Sequence, residues 1–328
     1  MRFPTRTAHE CPRAWLALLA AVLISVMALL LAPAPAQATS GDDLSWSVKP
    51  GGDTARTNFS YEMDAGGTQH DSFVVTNLGA KAFKLAVYAA DGTTSTTGAL
   101  DLLPATEAST GIGAWVTVET PTIELAPGAQ ADVPFTVAVP ADAEPGDYVG
   151  GLLSSYVDIA NGGTVQVDRR LATRMNVRVA GDGRVSMALS QLAASTGLAW
   201  NPFAPVPGSV AFEITNSGNV RARGPYTVTM AGPFGWGKRT TTIASAELIP
   251  GGSAAVATSL EGVWPLGWLT TTVEMSPEGI DGVPGTAATI TTDGWAVPWG
   301  QFGLLAVIVA AAICIGLWRG RSAKKELP

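Results

Sequence analysis

Cysteine and histidine are nearly missing from this chain of 328 residues, two of each, and those shortages exclude more than any motif includes. Cys11 and His9 lie in the first dozen residues, and Cys314 lies in an apolar run near the other end. The stretch between has no cysteine, so it has neither a disulfide nor a thiolate metal site. His70 is the one histidine left there, so zinc chemistry built on several histidines is ruled out, and any Ser-His-Asp or Cys-His triad depends on it. Its neighbours in Thr68-Gln69-His70-Asp71-Ser72 would point to alternate faces of an extended strand and cannot form a triad among themselves. His70 is read as a polar residue at a strand entrance. Charge is scarce as well, at 14% of residues. A catalytic pair of carboxylates from Glu119, Glu124, Asp142, Glu144 and Asp147 is conceivable in composition, but nothing in the sequence pairs any two of them. The expectation is a protein that is not an enzyme and carries no cofactor.

The two ends supply what the middle lacks. Arg2, Arg6 and Arg13 precede a charge-free apolar stretch, Trp15 to Ala32, and then Ala36-Gln37-Ala38. A basic start, an apolar middle and a small-x-small site are the pattern of a secretory signal peptide over residues 1–38. At the far end no charged residue occurs between Asp293 and Arg319. The 20 residues from Trp299 to Trp318 would span about 30 Å as a helix, the thickness of a bilayer core. Trp295, Trp299 and Trp318 suit interfacial belts, and Arg319, Arg321, Lys324 and Lys325 place the tail in the cytoplasm by the positive-inside rule. The expected location is the cell membrane, crossed once, with the N-terminal body outside. Between residues 39 and 298 stand 13 Lys plus Arg and 25 Asp plus Glu, a net charge of −12. So acidic a body disfavours nucleic acid and anionic lipid as bulk partners.

In that body, short β-type runs alternate with turn signals. Phe59, Tyr61 and Met63 share a face; so do Phe73 and Val75; so do Phe83, Leu85, Val87 and Ala89, in a run that Asp91-Gly92 is expected to close as a turn. Trp115–Val118, Ile123–Leu125, Val133–Val139 and Tyr148–Val157 continue the series. From Val165 to Val179 the alternation is clearest, with Val167, Leu171, Met175 and Val177 on one face and Arg170, Arg174 and Arg178 on the other, so that one face meets the core and one meets water. Gly181-Asp182-Gly183 ends the unit. A second unit repeats the first in order. Phe212 to Gly218 echoes Phe73 to Gly79, and Glu247-Leu248-Ile249-Pro250-Gly251 echoes Glu124-Leu125-Ala126-Pro127-Gly128. In each copy Asn before x-Gly is expected to bond nearby backbone while Gly takes a positive φ, and the Pro-Gly pair makes a turn. The fold class is therefore all-β, two tandem immunoglobulin-like sandwiches (39–182 and 183–294) followed by a transmembrane helix (295–318) and a basic tail (319–328).

Several of these residues carry a resemblance. Asp71-Ser72-Phe73-Val74-Val75-Thr76-Asn77, Trp115-Val116, Leu125-Ala126-Pro127-Gly128 and Pro140 to Tyr148, with Gly150-Gly151, resemble the peptidoglycan-binding domain of the WxL-interacting surface proteins of Gram-positive bacteria. Asn77, Pro127, Gly128, Pro145, Gly146, Asp147 and Tyr148 are the scaffold positions of that match. The resemblance implies a non-catalytic surface protein whose first domain binds peptidoglycan or another wall polymer and whose second binds a WxL-type or host protein. From the residues alone, the candidate wall-binding patch is Arg170, Arg174 and Arg178, on alternate positions of one strand face; the favoured reading of the same spacing is a solvated strand guarding an edge. Trp115 and Tyr148 are read as core rather than as sugar-stacking platforms. Leu103-Pro104-Ala105-Thr106-Glu107 lacks the glycine of a sortase signal, and Asn58-Phe59-Ser60 is a sequon by pattern only. The alternative function is a tethered immunoglobulin-like chaperone or assembly factor for surface proteins, which would offer a strand to a client; a passive spacer is the third.

Overall fold

The computed structural model describes residues 44–52, 55–159 and 166–323, so the expected signal peptide lies outside the described residues. The chain is all-β, two immunoglobulin-like sandwiches in tandem, with one long apolar helix after them.

The first sandwich contains β1 (Trp46–Pro50), β2 (Phe59–Met63), β3 (Thr68–Asn77), β4 (Phe83–Thr94), β5 (Leu100–Leu102), β6 (Val116–Val118), β7 (Thr122–Leu125), β8 (Gln130–Ala138), β9 (Gly146–Ile159) and β10 (Gln166–Val179). One sheet runs β1-β3-β8-β6 and the other β2-β10-β9-β4-β5, with β7 also on β4. The alternating apolar residues fill the space between: Phe59, Phe73, Leu85, Phe135, Leu152 and Met175 are each less than 2% exposed. Each such side chain contributes about 1.5–3 kcal/mol by leaving water. Phe59 meets Phe135 edge-on at 5.1 Å, and Trp46 donates from Nε1 to Ser154 Oγ (2.8 Å), tying one sheet to the other. Between β1 and β2 the chain changes sheets, and Arg56 fastens the crossing with a two-pronged bond to Asp71 (2.7 and 3.0 Å). Burial alone would raise the Asp71 carboxyl, but Arg56, Tyr61 and the Ser72 N–H hold it below its ordinary value.

The second sandwich contains β11 (Met187–Thr196), β12 (Val206–Asn216), β13 (Ala222–Arg223), β14 (Pro225–Ala231), β15 (Arg239–Ala244), β16 (Ser253–Val263), β17 (Gly267–Met275), β18 (Glu278–Gly279) and β19 (Ala288–Ala296). Its sheets run β11-β12-β16 and β15-β14-β17-β19, with β13 on β18 at one side. Phe212, Ile214, Val228, Met230, Leu248 and Met275 form its core.

Two local expectations are corrected. Asp91-Gly92 does not close a turn: β4 continues through it to Thr94 and pairs with β5. The Asp91 carboxylate instead accepts the backbone N–H groups of Thr110, Gly111 and Gly113 (2.7–2.8 Å), which pins the following loop. Trp115 does not begin a strand. It ends a one-turn helix, α1 (Ile112–Trp115), and packs on Tyr148 with ring centres 4.3 Å apart.

The apolar helix α2 (Trp299–Ala323) begins after β19, which runs on to Ala296, so the start expected at residue 295 moves to Trp299. Its stretch Trp299–Arg319, 21 residues with a mean hydropathy of 2.3 over the most apolar 18, is long and apolar enough to cross a membrane.

Candidate functional site

The face of β10 that carries Arg170, Arg174 and Arg178 was expected to meet water. Along its C-terminal half it meets the second sandwich. Arg174 bonds Glu247, which Arg221 Nη1 also approaches at 3.3 Å. Arg178 grips Asp147 with Nε (2.7 Å) and Nη2 (2.9 Å), and its Nη1 reaches Asp281 (2.9 Å). Asp147, whose side chain is only 2% exposed, also accepts from the Arg221 backbone N–H (2.8 Å). Three arginines therefore share three carboxylates across the junction. Burial alone would raise the Asp147 carboxyl; the hydrogen bonds from Arg178 and the Arg221 N–H, with both arginine charges, hold it low instead. In turn the hydrogen bonds and charges of Asp147, and after it Asp281, raise Arg178 above its ordinary value against the opposing effect of burial.

Backbone contacts reinforce the network. Asp147 N–H donates to Asn219 O (2.7 Å), and Asn219 Nδ2 donates to the carbonyls of Pro145 (2.8 Å) and Asp182 (2.9 Å). The tip beyond β4 is tied to β16, with Ala255 N–H on Thr96 O (2.8 Å). Gly146 at φ 147° lies so close to Asn219 O that a Cβ there would approach it to 2.4 Å. Beside these contacts a cleft of about 480 Å³ opens between the sandwiches, lined by Asp91, Tyr148, Arg184, Asn219 and Pro250 among others.

Arg174 and Arg178 are thus committed to carboxylates of their own chain, while Arg170 approaches Asp168 (3.7 Å) and Leu103 O (3.5 Å). The three do not form one cationic stripe facing solvent. Of the scaffold positions, Asp147 is the centre of the junction, Pro145 and Gly146 contact Asn219, Tyr148 packs on Trp115, and Pro127-Gly128 makes its turn. Asn77 is fully buried and bonded on both ends of its amide. Sequence reasoning missed Glu247, Arg221, Asp281 and Asn219, for which no local signal exists. His70 is exposed on β3, with Nδ1 2.8 Å from Thr136 Oγ1. Among the described residues no group of three or more His, Cys, Asp or Glu is placed to hold a metal.

The second feature is the outer edge of β10. β2 runs parallel to it only from Met175 to Val179. Ahead of Met175 no strand among the described residues pairs with that edge, and Val167 (43%) and Leu171 (39%) stand exposed on the side continuous with the core.

No family model and no curated protein matches the chain. Among solved structures it is similar to a chaperone–tip adhesin complex of CFA/I fimbriae (12% identity, TM-score 0.38, covering 77% of this chain and 99% of that one). It is also similar to the class 5 fimbrial chaperone CfaA (12%, 0.35, 77% and 100%), and to the CsuC–CsuE chaperone–tip adhesion subunit complex of Acinetobacter baumannii (10%, 0.34, 65% and 90%). At such scores and identities nothing about function is carried over from these proteins.

Proposed function

We propose that the chain is a non-catalytic, membrane-tethered assembly factor that holds an extended segment of a surface protein as an added strand along β10. The observation that carries this reading is the stretch of β10 ahead of Met175, which lacks a strand partner among the described residues and presents Val167 and Leu171. An incoming strand there gains main-chain hydrogen bonds and apolar sites at alternate positions. The arginine network fits the same role, because it joins two sandwiches into one body on which the edge is held still. α2 supplies the tether, with the sandwiches outside the cell and the basic end inside. Within the resemblance to the WxL-interacting proteins, the segment held would belong to a WxL-type surface protein. Wall binding has less support, because two of the three arginines of its candidate patch are already paired within the chain.

The test uses the full chain in detergent micelles, a panel of extended peptides from secreted surface proteins, and insoluble peptidoglycan sacculi. The proposal expects saturable peptide binding that Val167→Lys plus Leu171→Lys abolishes without lowering the melting temperature. Sedimentation with sacculi that is indifferent to those two changes, with no peptide bound, would overturn it in favour of wall binding.

A further inference from the structure

The end of the second sandwich from which α2 leaves differs in chemistry from the rest of the body. Four segments meet there: residues 197–205 between β11 and β12, 232–238 between β14 and β15, 264–268 leading into β17, and 294–301 leading into α2. The register places them together. Val206 at the start of β12 pairs with Val263 at the end of β16, Ala231 pairs with Thr270, and Gly267 pairs with Ala296. Together the segments hold six of the chain's ten tryptophans and a single ionisable side chain, Lys238.

Their aromatic residues point outward. Trp200, Phe203, Trp236 and Trp295 are 68–75% exposed and Phe234 is 95% exposed. Every exposed Trp or Phe among the described residues ahead of α2 lies at this end. Phe234 and Trp236 pair with ring centres 6.2 Å apart, and Trp268 and Trp295 meet at 90° and 5.1 Å. Among the described residues nothing covers this aromatic patch, and so large an exposed apolar patch marks a contact surface.

The helix is fastened to this end rather than hung from a free linker. Gly300 N–H donates to Ala199 O at 2.7 Å, and Gln301 Nε2 donates to Pro202 O at 3.1 Å. A Cβ at Gly300 would lie 2.4 Å from Trp200 O, so the two backbones touch as they could not with a larger residue. The first turn of α2 thus carries the loop of Trp200 and Phe203 with it.

We infer that this end is a lipid-contacting face: its exposed aromatics enter the headgroup region of the bilayer that α2 crosses and hold the second sandwich against the membrane surface. The inference rests on the tether reading of α2. Tryptophan and phenylalanine flanked by Lys238 and Arg239, with the carboxylate of Asp293 at the margin, match an interface that is part apolar, part polar and often anionic. A body set on the bilayer in this way keeps the β10 edge at a fixed height, which a floppy stalk would not.

The experiment uses the full chain without native cysteines (Cys11→Ser, Cys314→Ala) in vesicles of phosphatidylcholine and phosphatidylglycerol. A polarity-sensitive fluorophore is attached at Phe234→Cys, Ile308→Cys or Glu107→Cys, and lipids carry nitroxide quenchers at shallow or deep positions. The expected result is strong shallow quenching at 234, deep quenching at 308 and neither at 107. In the background Trp200→Ser, Phe203→Ser, Trp236→Ser, quenching at 234 should fall at least several-fold while that at 308 stays. Quenching at 308 with 234 as silent as 107 overturns the inference and leaves the tether intact. Silence at both 308 and 234 overturns the tether reading itself, and the inference with it.

Discussion

Asn77 and Asn216 sit at the same place in the two sandwiches and make the same set of hydrogen bonds. Each amide donates to two carbonyls, of Lys81 and Leu125 in the first copy and of Val220 and Leu248 in the second, at 2.9–3.0 Å. Each side-chain oxygen accepts the N–H two residues on, from Gly79 (2.8 Å) or Gly218 (3.0 Å). Each backbone N–H and C=O is bonded to the Pro-Gly turn, at Ala129 and Gly128 or at Gly252 and Gly251. The clamp joins the end of one strand to the turn that begins another, and both asparagines are at most 1% exposed.

That geometry predicts an order of severity. Asn77→Ala takes the amide donor from the buried Leu125 carbonyl and removes the bond to Lys81 O, and should cost about 2–3 kcal/mol. Asn77→Asp should cost more, because it sets an acceptor-only carboxylate against the same carbonyls. Asn216→Ala and Asn216→Asp should follow the same order in the second sandwich. Urea unfolding of the four variants checks it; an aspartate variant more stable than its alanine counterpart would refute the clamp.

Glycines of the repeated motif should separate by cause. Gly128 and Gly251 both have φ of +72° with nothing near an added Cβ, and each closes a turn whose i to i+3 bond is 3.0 or 2.9 Å. Alanine there meets only backbone strain, about 1–2 kcal/mol. Neither Gly79 nor Gly218 takes the positive φ expected from the Asn-x-Gly pattern; Gly218 is glycine because a Cβ would lie 2.1 Å from Arg184 O. Gly218→Ala should therefore cost clearly more than Gly251→Ala, as thermal unfolding would show.

Most of the strands were legible in the sequence because period-2 alternation follows directly from one buried and one wet face, and the pairing of Asn77 with Asn216 was legible as a repeated string. Asp91-Gly92 favours a turn in isolation, but β5 pairs beside it and carries β4 on to Thr94. The arginine network was not legible: Arg174 and Glu247 are 73 residues apart, and Arg178 and Asp281 are 103 apart. The alternation that placed three arginines on one face correctly could not say that a second domain covers that face.

The junction should weaken in acid. The folded Asp147 carboxyl is held below the unfolded-state value of about 3.9. Its contribution is therefore complete above that value and is lost as pH falls through the lower folded one. Asp147→Asn removes the charge at every pH and leaves Arg178 short of its main partner, a loss of about 2–4 kcal/mol at neutral pH. Melting curves from pH 7 to 3 should show the gap between the natural chain and Asp147→Asn closing below about pH 4. A gap that widens in acid would contradict the assignment.

The central claim is that β10 receives a strand, and amide hydrogen exchange on the full chain in nanodiscs tests it most directly. Alone, the amides of β10 ahead of Met175 that point away from β9 should exchange quickly, and those paired with β2 slowly. With a client segment bound, the fast set alone should slow by at least tenfold, and Leu171→Lys should erase that protection. Protection that appears instead around the cleft at Tyr148 and Asn219, with the β10 edge still exchanging freely, would contradict the account.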